Sequence, residues 1–361
     1  ARAVTVVVTP TGRAAGDLVD ALGSYLPEGS VEEFPAWETL PHERLSPKSD
    51  TVGRRLNVLR RLHVRDEALR VVVMPVRSLI QPIVDGLGAL EPVELVRGAE
   101  LDFDGVVASL AAAAYSRVDM VANRGEFAVR GGIIDVFPPT QEHPVRVDFF
   151  GDEIEEITYF SVADQRSLLG EDAALERVEC PPCREMLVDE GVRERARSLA
   201  DSMPGARDML EKIAAGLSVE GMESLAPLLA EKMVPLSSVF GPGSVVIVAD
   251  PERVSGRAAD LLATNAEFLE ASWSSAAMGA DAPVDISQVT GGMDHDAEAA
   301  GFQTLGQARA GVLDAGLAWW TMTALGSDEE LVQEGLTVRI PAREPAAWRG
   351  DVAQMLEYVG G

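Results

Sequence analysis

Between Gly125 and Ile157 the side chains alternate in polarity with a period of two, the pattern of a strand that presents two different faces. In the run Val145–Phe150, the odd-numbered residues are apolar and suit a core. The even-numbered residues are Arg146, Asp148 and Phe150. A phenylalanine on the polar face of a half-buried strand departs from the usual alternation. The pattern therefore predicts an antiparallel ribbon with an aromatic ring and charged groups on one exposed face.

The preceding run, Phe127–Arg130, alternates in the same way, with Arg130 directed outward. Gly131-Gly132 is expected to interrupt the strand as a bulge, and the prolines at 138, 139 and 144 to frame a turn. If that turn closes a hairpin, Arg130 comes within a register position or two of Phe150. Two arginines and a phenylalanine are typical of a protein-interface hot spot. The alternative is that Phe150 caps a neighbouring helix and both arginines form surface ion pairs, which contribute little.

The order of residues from Gly125-Glu126 through Asp135 to the Asp-Phe-Phe-Gly-Asp-Glu-Ile of 148–154 resembles the second domain of the bacterial transcription-repair coupling factors, the Mfd family. The excision-repair protein UvrB carries a related version. Independently, the segment 34–56, with Trp-Glu-Thr-Leu-Pro, Ser-Pro-Lys-Ser-Asp and Arg-Leu, resembles the first domain of that family. The resemblance is specific over the first half of the chain and depends on the order of elements over the second half.

The resemblance implies an N-terminal UvrB-homology module without its motor. Its fold would be α/β: a helicase-like α/β domain formed by two chain segments, degenerate and without a phosphate loop, with an inserted α+β domain containing an antiparallel sheet. The implied domains are 1–93 (domain 1a), 94–182 (domain 2) and 183–361 (domain 1b, returning to pack on domain 1a). The full-length protein would be an ATP-dependent DNA translocase.

In the family, domain 2 recruits the damage-recognition protein UvrA to stalled RNA polymerase by mimicking UvrB. The resemblance assigns this contact to Arg130, Arg146 and Phe150, with Asp148 and Phe149 supporting them. It also implies that a C-terminal domain masks this face in the resting full-length protein. RNA polymerase and DNA would then be indirect partners.

Chain length and net charge limit the number of domains and the classes of partner that can be expected. A chain of 361 residues is expected to hold two or three domains. The net charge of −27 disfavours stand-alone binding to a phosphate backbone. No apolar run is long enough to span a bilayer and no signal peptide is recognised, so we expect a cytoplasmic protein. The first residue falls just before a strand, which favours a fragment of something longer.

Sites for catalysis, cofactors or metals are not expected. Residues 9–17 lie between a strand and a helix, as a phosphate loop would, but they lack the Lys-Ser/Thr pair and include Asp17, which would repel phosphate. Asp250 before Pro251 is interpreted as a helix cap rather than part of a nucleotide site. The acidic residues at 152, 153, 155 and 156 are interpreted as a solvated hairpin turn, and Asp294-His295-Asp296 as an exposed loop. The four histidines show no ligand spacing.

The cysteine pair and one aromatic pair each have two possible interpretations. Cys180 and Cys183 are expected to be incidental thiols, because no second pair completes a zinc site; the alternative is a reversible disulfide. Trp37 with Phe34 is expected to cover a seam between domains; the alternative is a stacking platform for nucleic acid.

The remaining pattern predicts elements along the whole chain. Asp50 is expected to cap a helix that directs leucines and Val52 to one side and its arginines elsewhere. The predicted strands are 4–8, 71–75, 245–250 and 336–340; the predicted helices are 16–26, 103–115, 191–202, 206–215, 224–232 and 346–358; residues 273–300 are predicted to form a loop.

Overall fold

The computed structural model describes residues 3–41, 43–168, 173–277, 301–323, 338 and 340. The chain divides into two compact units, Ala1–Met322 and Thr323–Gly361, and every helix and strand below lies in the first. No helix in the described part of the chain is long and apolar enough to cross a membrane. The predicted strand 336–340, apart from residues 338 and 340, and the predicted helix 346–358 lie outside the described residues.

The strands are β1 (Thr5–Thr9), β2 (Val31–Glu33), β3 (Val71–Pro75), β4 (Ile83–Val84), β5 (Val93–Val96), β6 (Ser116–Arg117), β7 (Glu126–Arg130), β8 (Ile133–Val136), β9 (Val145–Phe150), β10 (Glu153–Tyr159), β11 (Arg177–Cys180), β12 (Met233–Val234), β13 (Val245–Ala249) and β14 (Ala318–Met322). The helices are α1 (Gly12–Gly23), α2 (Ser49–His63), α3 (Val76–Ile80), α4 (Phe103–Ala112), α5 (Glu190–Leu199), α6 (Arg207–Ala214), α7 (Ala226–Leu229), α8 (Pro251–Ala277) and α9 (Leu305–Asp314).

A five-stranded sheet in the order β14-β13-β1-β3-β2 combines strands from the beginning and the end of the described chain. All four of its strand pairs are parallel. Its central strands are runs of valine, as expected of a sheet covered on both faces. The apolar side of α2 packs into the largest hydrophobic cluster, against the same strands. The predicted mixed α/β architecture, with strands of one sheet supplied by two chain segments, is confirmed.

A second five-stranded sheet has the order β10-β9-β8-β7-β6. The pairs from β7 to β10 are antiparallel, and only the short edge strand β6 runs parallel to its neighbour. One face of this sheet packs with α4, β5 and β11 in a separate hydrophobic cluster that extends from Leu95 to Cys183. The predicted antiparallel sheet is therefore confirmed, with its own core.

Several local predictions were wrong. The helix α2 begins at Ser49 with Lys48 at the cap position, so Asp50 lies in its first turn, where a carboxylate still favours the helix dipole. Residues 273–277 continue α8 rather than beginning a loop, and residues 278–300 lie outside the described ranges. The strand β14 was not predicted at all.

A buried ion pair connects the first segment of the chain with the segment that follows β11. The Arg55 and Glu185 side chains are 0% and 2% exposed, and Arg55 Nε donates to Glu185 Oε1 at 2.5 Å. The guanidinium lies 4.3 Å from the centroid of the Phe34 ring. Trp37 Nε1 donates to the same Glu185 oxygen at 2.9 Å. The indole of Trp37 is therefore part of a contact between distant chain segments.

Candidate protein-docking surface

A tight turn at Gly131-Gly132 shapes one end of the exposed face of the antiparallel sheet. Gly131-Gly132 joins β7 to β8 as a two-residue hairpin turn, so the predicted bulge is wrong. Gly131 has a φ of +60°, which glycine adopts without strain. A side chain at Gly132 would place its Cβ 2.9 Å from the carbonyl oxygen of Phe149. The second glycine of the turn therefore lies directly against the backbone of β9.

The register puts the predicted residues on one face. Arg130 pairs with Ile133, and Ile133 pairs with Asp148, so these three residues form one row across the sheet. Residues paired across strands share a face, as do residues two apart along a strand. Arg146 and Phe150 flank Asp148 on β9 and therefore share its face. Because neighbouring strands are ~4.8 Å apart, the Arg130 and Asp148 backbones lie roughly 10 Å apart.

Phe150 is 78% exposed at the end of β9, opposite Glu153 of β10. The alternative, in which Phe150 caps a neighbouring helix, is therefore wrong. The adjacent Phe149 points to the other face, where its ring meets the Phe103 ring edge to face at a centroid distance of 5.1 Å. Phe149 thus anchors the strand from within, and Phe150 presents an aromatic ring to solvent.

Arg146 is held by an aspartate within the sheet. Its Nε and Nη2 donate to Asp135 Oδ1 and Oδ2 at 2.7 and 2.9 Å, and Asp135 is 1% exposed. The Phe160 ring lies under the guanidinium at 5.0 Å, and Nη1 points to the carbonyl oxygen of Gln165 at 3.4 Å. The hydrogen bonds to Asp135 raise the pKa of Arg146. The predicted surface ion pair is instead a half-buried one.

Arg130 is exposed, and its Nη2 donates to the carbonyl oxygen of Asp119 at 2.8 Å. No ion pair joins it to a carboxylate among the described residues. Because an arginine has five N–H groups, most of its hydrogen-bonding capacity faces solvent. The two arginines of the surface therefore differ in what they can still bind. Arg130 can bind a partner's carboxylate through its Nε side, whereas Asp135 already occupies that side of Arg146.

Acidic groups border the aromatic ring on the β10 side. Asp148 is half-buried, and desolvation raises the pKa of its carboxyl; the neighbouring acids Glu156, Asp135 and Glu155 add to this effect, while Arg146 opposes it. A register shift between Ile154 and Glu156 leaves Glu155 as the extra residue of a bulge. The acidic residues 152–156 lie in and beside the β9–β10 hairpin turn, as predicted.

Sequence reasoning missed Asp135 and Phe160, the two side chains that hold Arg146. A signal for Asp135 was present: it is the acidic member of the apolar run Ile133–Val136, and its parity puts it on the face of Arg130. Phe160 lies just after β10, where alternation no longer assigns a face. Its burial beside Val121, Ala128 and Phe137 comes from tertiary packing.

The other motifs singled out in the sequence are parts of the core or of a helix start. Cys180 and Cys183 are free, buried thiols within the core of the antiparallel sheet. Burial raises the pKa of Cys180 to about 12 and also raises that of Cys183. Thr11 caps α1 by accepting a hydrogen bond from the Ala14 amide, so the loop at 9–17 is a helix start. No group of three or more potential ligands among the described residues could hold a metal ion.

Comparison with known proteins agrees with the early resemblance. Residues 93–183 match the family described as the UvrB interaction domain, nearly the span of the core around the antiparallel sheet. The chain is 50% identical over 345 residues to the transcription-repair-coupling factor of Mycobacterium tuberculosis, covering 91% of this chain and 27% of that relative. It is 32% identical over 250 residues to the transcription-repair-coupling factor of Escherichia coli, covering 67% of this chain and 21% of that relative.

A more distant similarity extends to the UvrABC system protein B of Thermosipho africanus, with 25% identity over 207 residues, or 53% of this chain and 30% of that protein. The chain thus spans about a quarter of the length of the transcription-repair-coupling factors it matches.

Proposed function

We propose that this chain, which is similar to the bacterial transcription-repair-coupling factors and matches the UvrB interaction domain over residues 93–183, is a non-catalytic adaptor module that binds UvrA. Binding would mimic that of UvrB, to which the chain is also similar. The module would thereby recruit nucleotide excision repair to stalled RNA polymerase.

One observation carries the proposal: Arg130, Arg146 and Phe150 share one face of the sheet, and the Phe150 ring is exposed there and pairs with no other aromatic ring among the described residues. A lone exposed aromatic flanked by arginines fits the anchor of an interface hot spot. Phe150 would enter an apolar pocket on UvrA, and Arg130 would pair with a carboxylate beside it. Asp148 would lie at the rim and Phe149 would support the strand from below.

The larger architecture fits the same assignment. We propose that residues 1–93 and 183–361 form domains 1a and 1b of a helicase-like α/β unit, with domain 2 at 94–182 between them. The parallel sheet built from β1, β3 and β13 supports the pairing of the two outer segments. The segment 9–17, which leads into α1 without a Lys-Ser/Thr pair, supports a degenerate nucleotide site. ATPase and DNA translocation would belong to other parts of the full-length, cytoplasmic protein.

Titration calorimetry with purified UvrA tests the proposal. Phe150→Ala and Arg130→Ala should each weaken binding by about 2 kcal/mol or more, close to thirty-fold. Tyr25→Ala and Arg13→Ala are matched controls, because both residues are exposed and lie in the first α/β segment. Losses below about 0.5 kcal/mol for both test variants would remove the assignment of this face.

A second test concerns regulation. If a C-terminal domain of the full-length protein masks the face, the isolated module should bind UvrA more tightly than the intact protein, because no internal competitor must be displaced. Equal affinities for the two forms would argue against masking.

A further inference from the structure

Asp135 is a buried carboxylate that holds the half-buried Arg146 on the docking face, the face of the antiparallel sheet that carries Arg130, Arg146 and Phe150. We infer that Asp135 is a positioning residue for UvrA binding, fixing the Arg146 guanidinium so that only its outer Nη1/Nη2 end is offered to the partner. This inference rests on the proposed function. It adds a residue that does not itself touch the partner.

The hydrogen bonds define the orientation. Asp135 occupies the Nε and Nη2 side of the guanidinium through both carboxylate oxygens, at 2.7 and 2.9 Å. Nη1 points at the Gln165 carbonyl oxygen, at 3.4 Å. Three of the five N–H groups are thereby directed inward, and the two that remain lie one on each Nη atom. A partner oxygen can approach this guanidinium only from its end.

The packing removes the remaining freedom. The Phe160 ring, itself fully buried, lies 5.0 Å below the guanidinium carbon and covers one side of the planar group. The Arg146 side chain is therefore already held in one rotamer before the partner binds. An arginine that was not held would lose side-chain conformational entropy on binding. An immobilised long side chain costs about 0.5–1.5 kcal/mol at an interface, which corresponds to roughly two- to thirteen-fold in affinity.

The Asp135→Asn variant should therefore weaken UvrA binding about two- to thirteen-fold, with the change mainly in the dissociation rate. The asparagine keeps the size of the side chain and one oxygen acceptor, but it turns an NH2 group toward the arginine. In an Arg146→Met background, where no guanidinium is left to position, Asp135→Asn should cause no further loss. Such non-additivity is the signature of a residue that acts through its neighbour.

Glu185→Gln is the matched control. Glu185 is an equally buried carboxylate that also holds an arginine, Arg55, but it lies away from the docking face. It should lower stability without changing UvrA affinity. All variants are compared after circular dichroism has confirmed folding. The Arg146→Met/Asp135→Asn double variant has lost both charges, so it contains no unpaired buried charge at this position.

A readout independent of UvrA is the exchange rate of the Arg146 Nε–H proton, measured by NMR. It should be slow in the wild type and fast in Asp135→Asn. Wild-type affinity in Asp135→Asn, or equal losses in both backgrounds, would overturn the positioning role while leaving the docking proposal intact. A folded wild type that does not bind UvrA would overturn the docking proposal and this role together. Rapid exchange of the Arg146 Nε–H proton in the wild type would contradict the positioning role of Asp135 but not the docking proposal.

Discussion

Replacing Glu185 by alanine should destabilise the folded chain by about 3–5 kcal/mol, because it removes one partner of a buried ion pair. The loss leaves the Arg55 charge, whose side chain is 0% exposed, without a counter-charge. It also leaves two arginine N–H groups and the Trp37 indole N–H without their acceptor. The bond from Arg55 Nη1 to the Pro35 carbonyl remains and cannot neutralise the charge.

Urea unfolding, followed by tryptophan fluorescence, measures this effect. With a denaturant slope of ~2–3 kcal/mol/M, the midpoint should fall by roughly 1–2.5 M. Glu176→Ala is the control, because Glu176 forms an ion pair with Arg97 in which both side chains are more than half exposed. An exposed pair contributes at most about 1 kcal/mol, so this midpoint should hardly move.

The Arg55→Met/Glu185→Leu double variant separates the cost of an unpaired charge from that of lost packing. If the unpaired charge dominates, the apolar pair should recover most of the stability lost in Glu185→Ala. A double variant as unstable as Glu185→Ala, or a Glu185→Ala midpoint equal to that of Glu176→Ala, would refute the reasoning.

Raising the pH above about 9 should destabilise the chain, because an unfolded Cys180 thiol ionises near 9 while the folded one keeps its proton to about 12. The urea midpoint should therefore fall less between pH 8 and pH 10 in Cys180→Ala than in the wild type. An equal fall in both proteins would contradict the raised pKa of Cys180. Gly221→Ala should cost about 3 kcal/mol or more, since its Cβ would lie 2.3 Å from the Arg44 backbone. Gly216→Ala, also left-handed but with no contact under 3.6 Å, should cost only about 1–2 kcal/mol in thermal unfolding. Fluorescence anisotropy should detect negligible binding to damaged duplex DNA at physiological salt, given the net charge of −27; strong salt-dependent binding would contradict this.

The antiparallel sheet could be predicted closely because its faces depend on local parity. In a strand, each residue points opposite to its neighbours whatever lies elsewhere in the chain. Val145–Phe150 therefore matches β9 to the residue, and Phe150 lies on the exposed face where alternation puts it. The turn at Gly131-Gly132 was placed correctly but interpreted as a bulge, since two glycines permit both structures.

The buried ion pair could not be predicted from local pattern. On α2, Arg55 occurs among other arginines and resembles a solvated helix position. Its partner, Glu185, is 130 residues away, and nothing in the helix signals that the two segments meet. The strand β14 was missed for a related reason: its residues are mostly exposed at the sheet edge, so no alternation marks it.

The docking face shows where sequence-based reasoning about a site stops. Arg130 and Arg146 are equivalent in the sequence pattern, each an outward arginine on a half-buried strand. In the structure, one donates a hydrogen bond to a backbone carbonyl and the other is clamped by Asp135. An alanine at Arg146 would therefore combine a lost contact with an uncompensated buried carboxylate, and its effect on binding would overstate the contact itself. Only a comparison in which Asp135 is neutralised together with Arg146 isolates what the guanidinium contributes to the partner.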